Sequence, residues 1–167
     1  MKRFIGTKLI NAKPMTRIEY NVFRGWSLPE NEIGADEGYL VEYLDGGKGN
    51  TDTYAGYVSW SPKEQFDNAY RECDNMTFGM AIEALKKGLK VARKGWNGKG
   101  MWLILVPGTP SAELKPATPY ANALSATHCE ILPHIDMWTT NSEGRRAMLC
   151  GWLASQTDML SEDWEII

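Results

Sequence analysis

Thr77-Phe-Gly-Met-Ala-Ile-Glu-Ala-Leu-Lys-Lys-Gly88, followed by Lys90-Val-Ala-Arg93 and Met101-Trp-Leu-Ile-Leu-Val106, is the stretch that decides the fold. Thr77 has the side-chain oxygen of a helix cap, Phe78, Ala81, Ile82 and Leu85 recur at helical spacing, and Gly88 offers a stop. The two runs after it are strand-sized and flank the loop Lys94-Gly-Trp-Asn-Gly-Lys-Gly100, and Pro107-Gly108 ends the second. One helix set against antiparallel strands predicts an α+β arrangement.

Working outward, Ile131 to Thr140 and Arg145 to Leu153 read as a further hairpin about Asn141-Ser-Glu-Gly144. The tail from Ser155 to Ile167 reads as a short turn of helix and a final strand. Thr109 to Ser125, rich in Pro, Ala and Thr, reads as a long surface loop. Upstream, Gly38 to Leu44 reads as a strand, Asp45-Gly-Gly47 as a turn and Tyr54 to Trp60 as the hairpin partner. Thr16-Arg-Ile-Glu19 is a capping box that predicts a short helix through Phe23 or Arg24. Ser61-Pro-Lys-Glu64 predicts another, with Ser61 as cap, Pro62 in the first turn and Phe66, Ala69 and Tyr70 on the apolar face.

Six of the seven Tyr precede residue 71, whereas five of the seven Trp follow residue 95. Together with the polar run Arg71 to Asn75, that shift predicts a boundary near 72 to 76. The expected division is a small α+β N-terminal module over 1–74 and a second α+β unit over 75–167, the latter a small antiparallel sheet packed with one main helix.

Residues 1 to 75 hold 9 basic and 12 acidic side chains, and residues 76 to 167 hold 9 of each. A binder of long nucleic acid needs a basic excess to neutralise phosphates, so no polynucleotide partner is expected, although a small nucleotide remains compatible. No apolar run nears the roughly 20 residues of a membrane-spanning helix. The basic start, Met1 to Lys8, lacks the apolar core of a secretory signal, so a cytosolic protein without membrane association is expected. Cys73, Cys129 and Cys150 form no C-x-x-C pattern and read as reduced thiols.

The search for chemistry is largely negative. His128, Cys129 and His134 fit no usual zinc spacing, so no metal and no cofactor is expected. Nucleophile-elbow, phosphate-loop and zinc-protease patterns are absent from the sequence, and no catalytic residue is assigned. Asp158 and Asp163 are a carboxylate pair that reads either as a solvated turn, as acid–base machinery or as an acceptor for sugar hydroxyls. The informative element is Arg93-Lys-Gly-Trp-Asn-Gly-Lys-Gly100. Its glycines let backbone N–H groups approach an anion, while Arg93, Lys94 and Lys99 supply cationic donors for phosphate. Trp96 offers an aromatic face to a base and Asn97 a hydrogen-bonding edge. The competing reading is an ordinary hairpin turn about Asn97-Gly98 with Trp96 in the core. The five Trp of the second unit suit either a core or a binding pocket.

The run Met76 to Met101, with Trp152-Leu-Ala-Ser-Gln-Thr-Asp-Met-Leu-Ser-Glu-Asp-Trp164, resembles the second class of Thoeris anti-defence proteins of phages. The first unit, with Tyr39 to Tyr43 and Tyr57 to Glu64, looks like a small module found in phage proteins. The resemblance implies a sponge without turnover in the cytoplasm of the infected bacterial host. Relatives bind glycocyclic ADP-ribose, the signal made by the TIR-domain sensor of Thoeris, and some also hold cyclic dinucleotides at separate sites. They assemble as homotetramers with pockets where protomers meet. Carried onto this chain, the resemblance assigns Trp96 and Trp152 to adenine stacking or the pocket frame, Asn97 and Asp158 to base or ribose, and Phe78 to the floor. Arg93 and Lys99 as pyrophosphate partners follow from their charge rather than from the family. The stretch from Pro107 to about Ile131 is longer than in compact relatives. Two rival readings stand beside the sponge: a small nucleotide hydrolase using Asp158 or Asp163, and a module that binds a host protein through the acidic first unit.

Overall fold

The computed structural model describes residues 1–3, 5–97 and 100–167. The chain divides into two compact units, Met1–Arg71 and Glu72–Ile167.

The first unit runs β1 (Ile10–Pro14), α1 (Arg17–Arg24), β2 (Gly38–Tyr43), β3 (Tyr57–Pro62) and α2 (Lys63–Ala69), with the strands in the order β1-β2-β3, both pairs antiparallel. Alternation along β2 serves both faces of the sheet. Leu40 joins Tyr20 of α1 and Val58 of β3 in the core, with Phe23 and Trp60 packed against them. Tyr39 instead stacks on Phe66 of α2, with ring centroids 4.1 Å apart. The capping box of α1 is present: Thr16 Oγ1 accepts from Glu19 N–H, and Glu19 Oε2 accepts from Thr16 N–H at 2.7 Å.

Two expectations for this unit are corrected, and one element is added. β3 begins at Tyr57 rather than Tyr54, because Asn50 clamps Val58, accepting from its N–H at 2.8 Å and donating to its C=O at 2.9 Å, which keeps residues 50–56 in the loop. Ser61 does not cap α2, since the ladder continues opposite Tyr39 and Gly38 through Ser61 and Pro62, and the N-cap is Pro62 with no side-chain bond. β1 adds an edge strand that the sequence pattern did not announce; four of its five residues are exposed, so it lacks the apolar alternation of a half-buried strand.

The second unit contains α3 (Phe78–Lys86), β4 (Val91–Arg93), β5 (Trp102–Val106), β6 (Thr109–Glu113), α4 (Pro119–Leu124), β7 (His128–Ile131), β8 (His134–Thr140), β9 (Arg146–Leu149), α5 (Gln156–Leu160) and β10 (Trp164–Ile166). Five strands form one antiparallel sheet in the order β10-β4-β5-β8-β9, while β6 and β7 pair separately. This is the expected α+β class with one main helix. Thr77 Oγ1 accepts from Met80 N–H at 3.4 Å, and Gly88 at φ 81° follows the last turn. Ala81, Ala84 and Leu85 of α3 are buried against Val91, Leu103, Met137 and Trp164. Each fully buried Leu- or Val-sized side chain contributes roughly 1.5–3 kcal/mol. Ile166 N–H donates to Cys73 C=O at 2.8 Å, and Met76 and Trp164 exchange backbone bonds, which ties residues 72–76 to this sheet.

The expected loop from Thr109 to Ser125 is instead β6 and α4. Ala112 and Glu113 pair with Cys129 and His128 on β7, and the register shifts between Thr109 and Ala112. Asn141 closes the β8–β9 turn as expected, its side chain accepting from Glu143 and Arg145 N–H; Ile131 belongs to β7 and not to that hairpin. Trp102 and Trp138 are cross-strand partners, stacked at 5.8 Å on the sheet face opposite Leu103. Two of the five Trp of this unit are thereby accounted for by strand pairing alone.

Candidate functional site

The site grows from β10. Its alternation sends Trp164, 0% exposed, into the core, and its indole Nε1–H donates to Asp158 C=O at 3.0 Å. Three half-buried rings surround it. Phe78, the first residue of α3, lies 5.5 Å from Trp164 between centroids. Trp96, in the loop after β4, meets Trp164 edge to face at 5.4 Å and 78°. Trp152, just beyond β9 and fixed by its N–H to Ile135 C=O at 2.7 Å, meets Trp164 at 6.2 Å and Trp96 at 6.1 Å. Edge-to-face pairs at these separations contribute about 0.5–1.5 kcal/mol each beyond area burial.

Polar groups stand behind Trp96. Ser155 caps α5, and Asp158 closes a capping box. Asp158 Oδ2 accepts from Ser155 N–H at 3.0 Å and from Ser155 Oγ–H at 2.7 Å. Its Oδ1 accepts from Trp96 Nε1–H at 3.0 Å and from Arg93 Nη1–H at 2.8 Å. Arg93 turns its other edge to Asp163, donating from Nε to Oδ1 at 2.8 Å. Asp163 Oδ2 also accepts from Gly95 N–H at 2.8 Å. A Cβ on Gly95 would meet that oxygen at 2.6 Å, so a larger residue here would push the Asp163 carboxylate off its bond.

Burial alone would raise the Asp158 carboxyl, but the bonds from Ser155, Trp96 and Arg93 together hold it far below the usual carboxylate range. The Arg93 bond is the main reason that Asp163 is also depressed, and the bond to Asp163 leads those that raise Arg93. All three groups are therefore charged at neutral pH.

The structure brings Phe78, Trp96, Trp152, Arg93 and Asp158 together. Asn97 is exposed on the same loop, and Lys99 lies outside the described residues. Lys94 Nζ donates to Asp74 Oδ2 at 3.2 Å and Asn75 Oδ1 at 3.3 Å. The anion that the Gly95 N–H approaches is the protein's own Asp163. Sequence reasoning missed Trp164 as the ring on which the others converge and Ser155 as a cap. The spacing Ser155-Gln-Thr-Asp158 carried the second signal.

Among the described residues, no group of three or more His, Cys, Asp or Glu side chains is placed to hold a metal ion, and no helix is long and apolar enough to cross a membrane. His128 Nδ1 lies 3.1 Å from Thr127 Oγ1, whereas His134 Nε2 lies 3.5 Å from Asp136 Oδ1. The charge of Asp136 leads the effects that raise the Cys150 thiol, so little thiolate forms there at neutral pH.

Residues 76–167 match the model of the Thoeris anti-defense 2-like domain. A relative from Bacillus phage SP01, described as Thoeris anti-defense 2, is 34% identical over 92 residues, covering 55% of this chain and 94% of the relative. The matched segment holds the helix, the five-stranded sheet and every ring of the aromatic cluster, and on that match the chain belongs to the Thoeris anti-defense 2-like family.

Proposed function

We propose that the second unit captures glycocyclic ADP-ribose and releases it chemically unchanged, depriving the Thoeris effector of its signal in the cytoplasm of the infected host. The observation that carries this reading is the convergence of Phe78, Trp96 and Trp152 within the segment matched by the family. The partly exposed indoles of Trp96 and Trp152 suit stacking on a nucleobase, which contributes roughly 1–3 kcal/mol per base. Asn97 on the Trp96 loop, Lys99, Arg93 and Asp158 complete the residues on which capture depends. Cyclic dinucleotides are further ligands of this reading, and a homotetramer is the expected assembly.

Sequestration needs no acid–base pair, and both nearby carboxylates are engaged: Asp158 by four donors, Asp163 by Arg93 and Gly95. Nanomolar capture corresponds to about −12 kcal/mol. Purified protein mixed with glycocyclic ADP-ribose should deplete it from the filtrate, and heating should return the same mass. A changed mass would support the hydrolase instead. Absence of uptake, with direct binding to a host protein, would support the interaction module.

A further inference from the structure

We propose that Arg93, Asp158 and Asp163 are positioning residues: one guanidinium shared by two carboxylates fixes the Trp96 indole and the Gly95 backbone from behind, and none of the three meets the ligand. The inference rests on the reading of the aromatic cluster as the ligand wall, and it reassigns two residues that charge and resemblance had placed against ribose and pyrophosphate.

Bonding capacity is the first argument. A carboxylate offers about four lone-pair directions, and Asp158 has four donors on them, two to each oxygen. A ribose hydroxyl would have to displace the cap of α5, the Trp96 indole or Arg93. Arg93 has three of its N–H donors engaged, and it is enclosed rather than saturated. Its Nε and Nη2 face Asp163 and its Nη1 faces Asp158, with the side chain only 9% exposed. One positive group between two negative ones is also a poor seat for pyrophosphate.

Direction is the second argument. The Nε1–H bond to Asp158 fixes the rotation of the Trp96 ring about its stem, and so decides which way its faces point. Asp163 holds the chain just before that residue twice, by its side chain to Gly95 N–H and by its own C=O to Lys94 N–H at 3.2 Å. Trp96 is thus clamped at its ring and at the backbone that leads to it, and Arg93 couples the two clamps. A wall held this way loses little freedom when a ligand arrives, which favours tight binding.

The test compares Arg93→Lys with the unaltered protein. Lysine keeps the charge but lacks the planar fork that bridges two carboxylates. Calorimetry with glycocyclic ADP-ribose should show affinity weakened about tenfold or more, the size expected when an outer support is lost. Without ligand, the Trp96 indole N–H resonance, assigned through Trp96→Phe, should already have moved. In the unaltered protein, saturating ligand should shift the Trp96 indole resonance more than the Arg93 Nε–H resonance. Asp158→Asn, which keeps an oxygen for the indole, should retain more affinity than Asp158→Ala. Unchanged affinity in Arg93→Lys, or an Arg93 Nε–H shift exceeding that of Trp96, overturns the proposal. If the unaltered protein takes up no glycocyclic ADP-ribose, the sponge reading fails, while an unmoved indole resonance in ligand-free Arg93→Lys still refutes the clamp.

Discussion

Two helices of this molecule begin with the same device and end in different circumstances. In the first unit, Thr16 and Glu19 bond reciprocally at the start of α1, and Glu19 has only Thr16 as its hydrogen-bonding partner among the described contacts of its carboxylate. In the second unit, Ser155 and Asp158 do the same at the start of α5, but the free edge of Asp158 also receives Trp96 and Arg93, residues 62 and 65 positions away in the chain. Local spacing specifies a cap in both cases. Only the second cap has described side-chain bonds to distant residues, so the same kind of local motif has unequal importance.

Substitutions can break this contrast. The largest effect is expected from Trp164→Ala, which empties the centre of the aromatic cluster and should cost about 3–5 kcal/mol, unfolding the second unit at lower denaturant while the first keeps its transition. Arg93→Ala leaves two carboxylates facing each other in a partly buried site and should cost about 3 kcal/mol, read from the same denaturation midpoint. Thr16→Ala removes a cap that supports only its own helix, and about 1 kcal/mol is expected, confined to the first unit. Lys63→Ala, which breaks an exposed pair with Asp67, should change stability by less than about 0.5 kcal/mol.

Acid sharpens the contrast. Asp158, Asp163 and Glu19 are all held below their ordinary values. A depressed carboxyl contributes stability that is complete above its unfolded pKa, near 4, and disappears as pH falls toward the folded value. Stability of the second unit should therefore be flat from pH 7 to about 5 and decline below about 4. Asp158→Asn, lacking that group, should start less stable and decline less steeply over the same acid range, as measured by urea unfolding at each pH.

Much of the scaffold was legible in the chain because its signals are local. The Thr16 box, the Thr77 cap with its helical apolar spacing, and the Asn141 turn each act within a few residues. β3 was misplaced by three residues because Asn50, outside any strand pattern, decides where pairing starts. β6 escaped notice because Pro110 and an irregular register disguise it, and its partner β7 begins 15 residues after it ends. At the site, the aromatic residues could be named from sequence, yet the role of Trp164 depends on rings supplied by α3, the β4 loop and the segment after β9. The partners of Arg93 were illegible for the same reason, since a charge count shows which groups exist and not which ones meet.

The packing of Trp96, Trp152 and Trp164 within 6.2 Å of one another also gives the protein a built-in optical reporter. Indoles this close couple their electronic transitions, so far-ultraviolet circular dichroism should carry an exciton signature from the second unit. A purine sliding against Trp96 or Trp152 would alter that band and quench emission without any dye attached. Trp102 and Trp138, stacked at 5.8 Å on the opposite sheet face, form a second coupled pair, so Trp102→Phe should remove a constant background while leaving the ligand-sensitive part of the band.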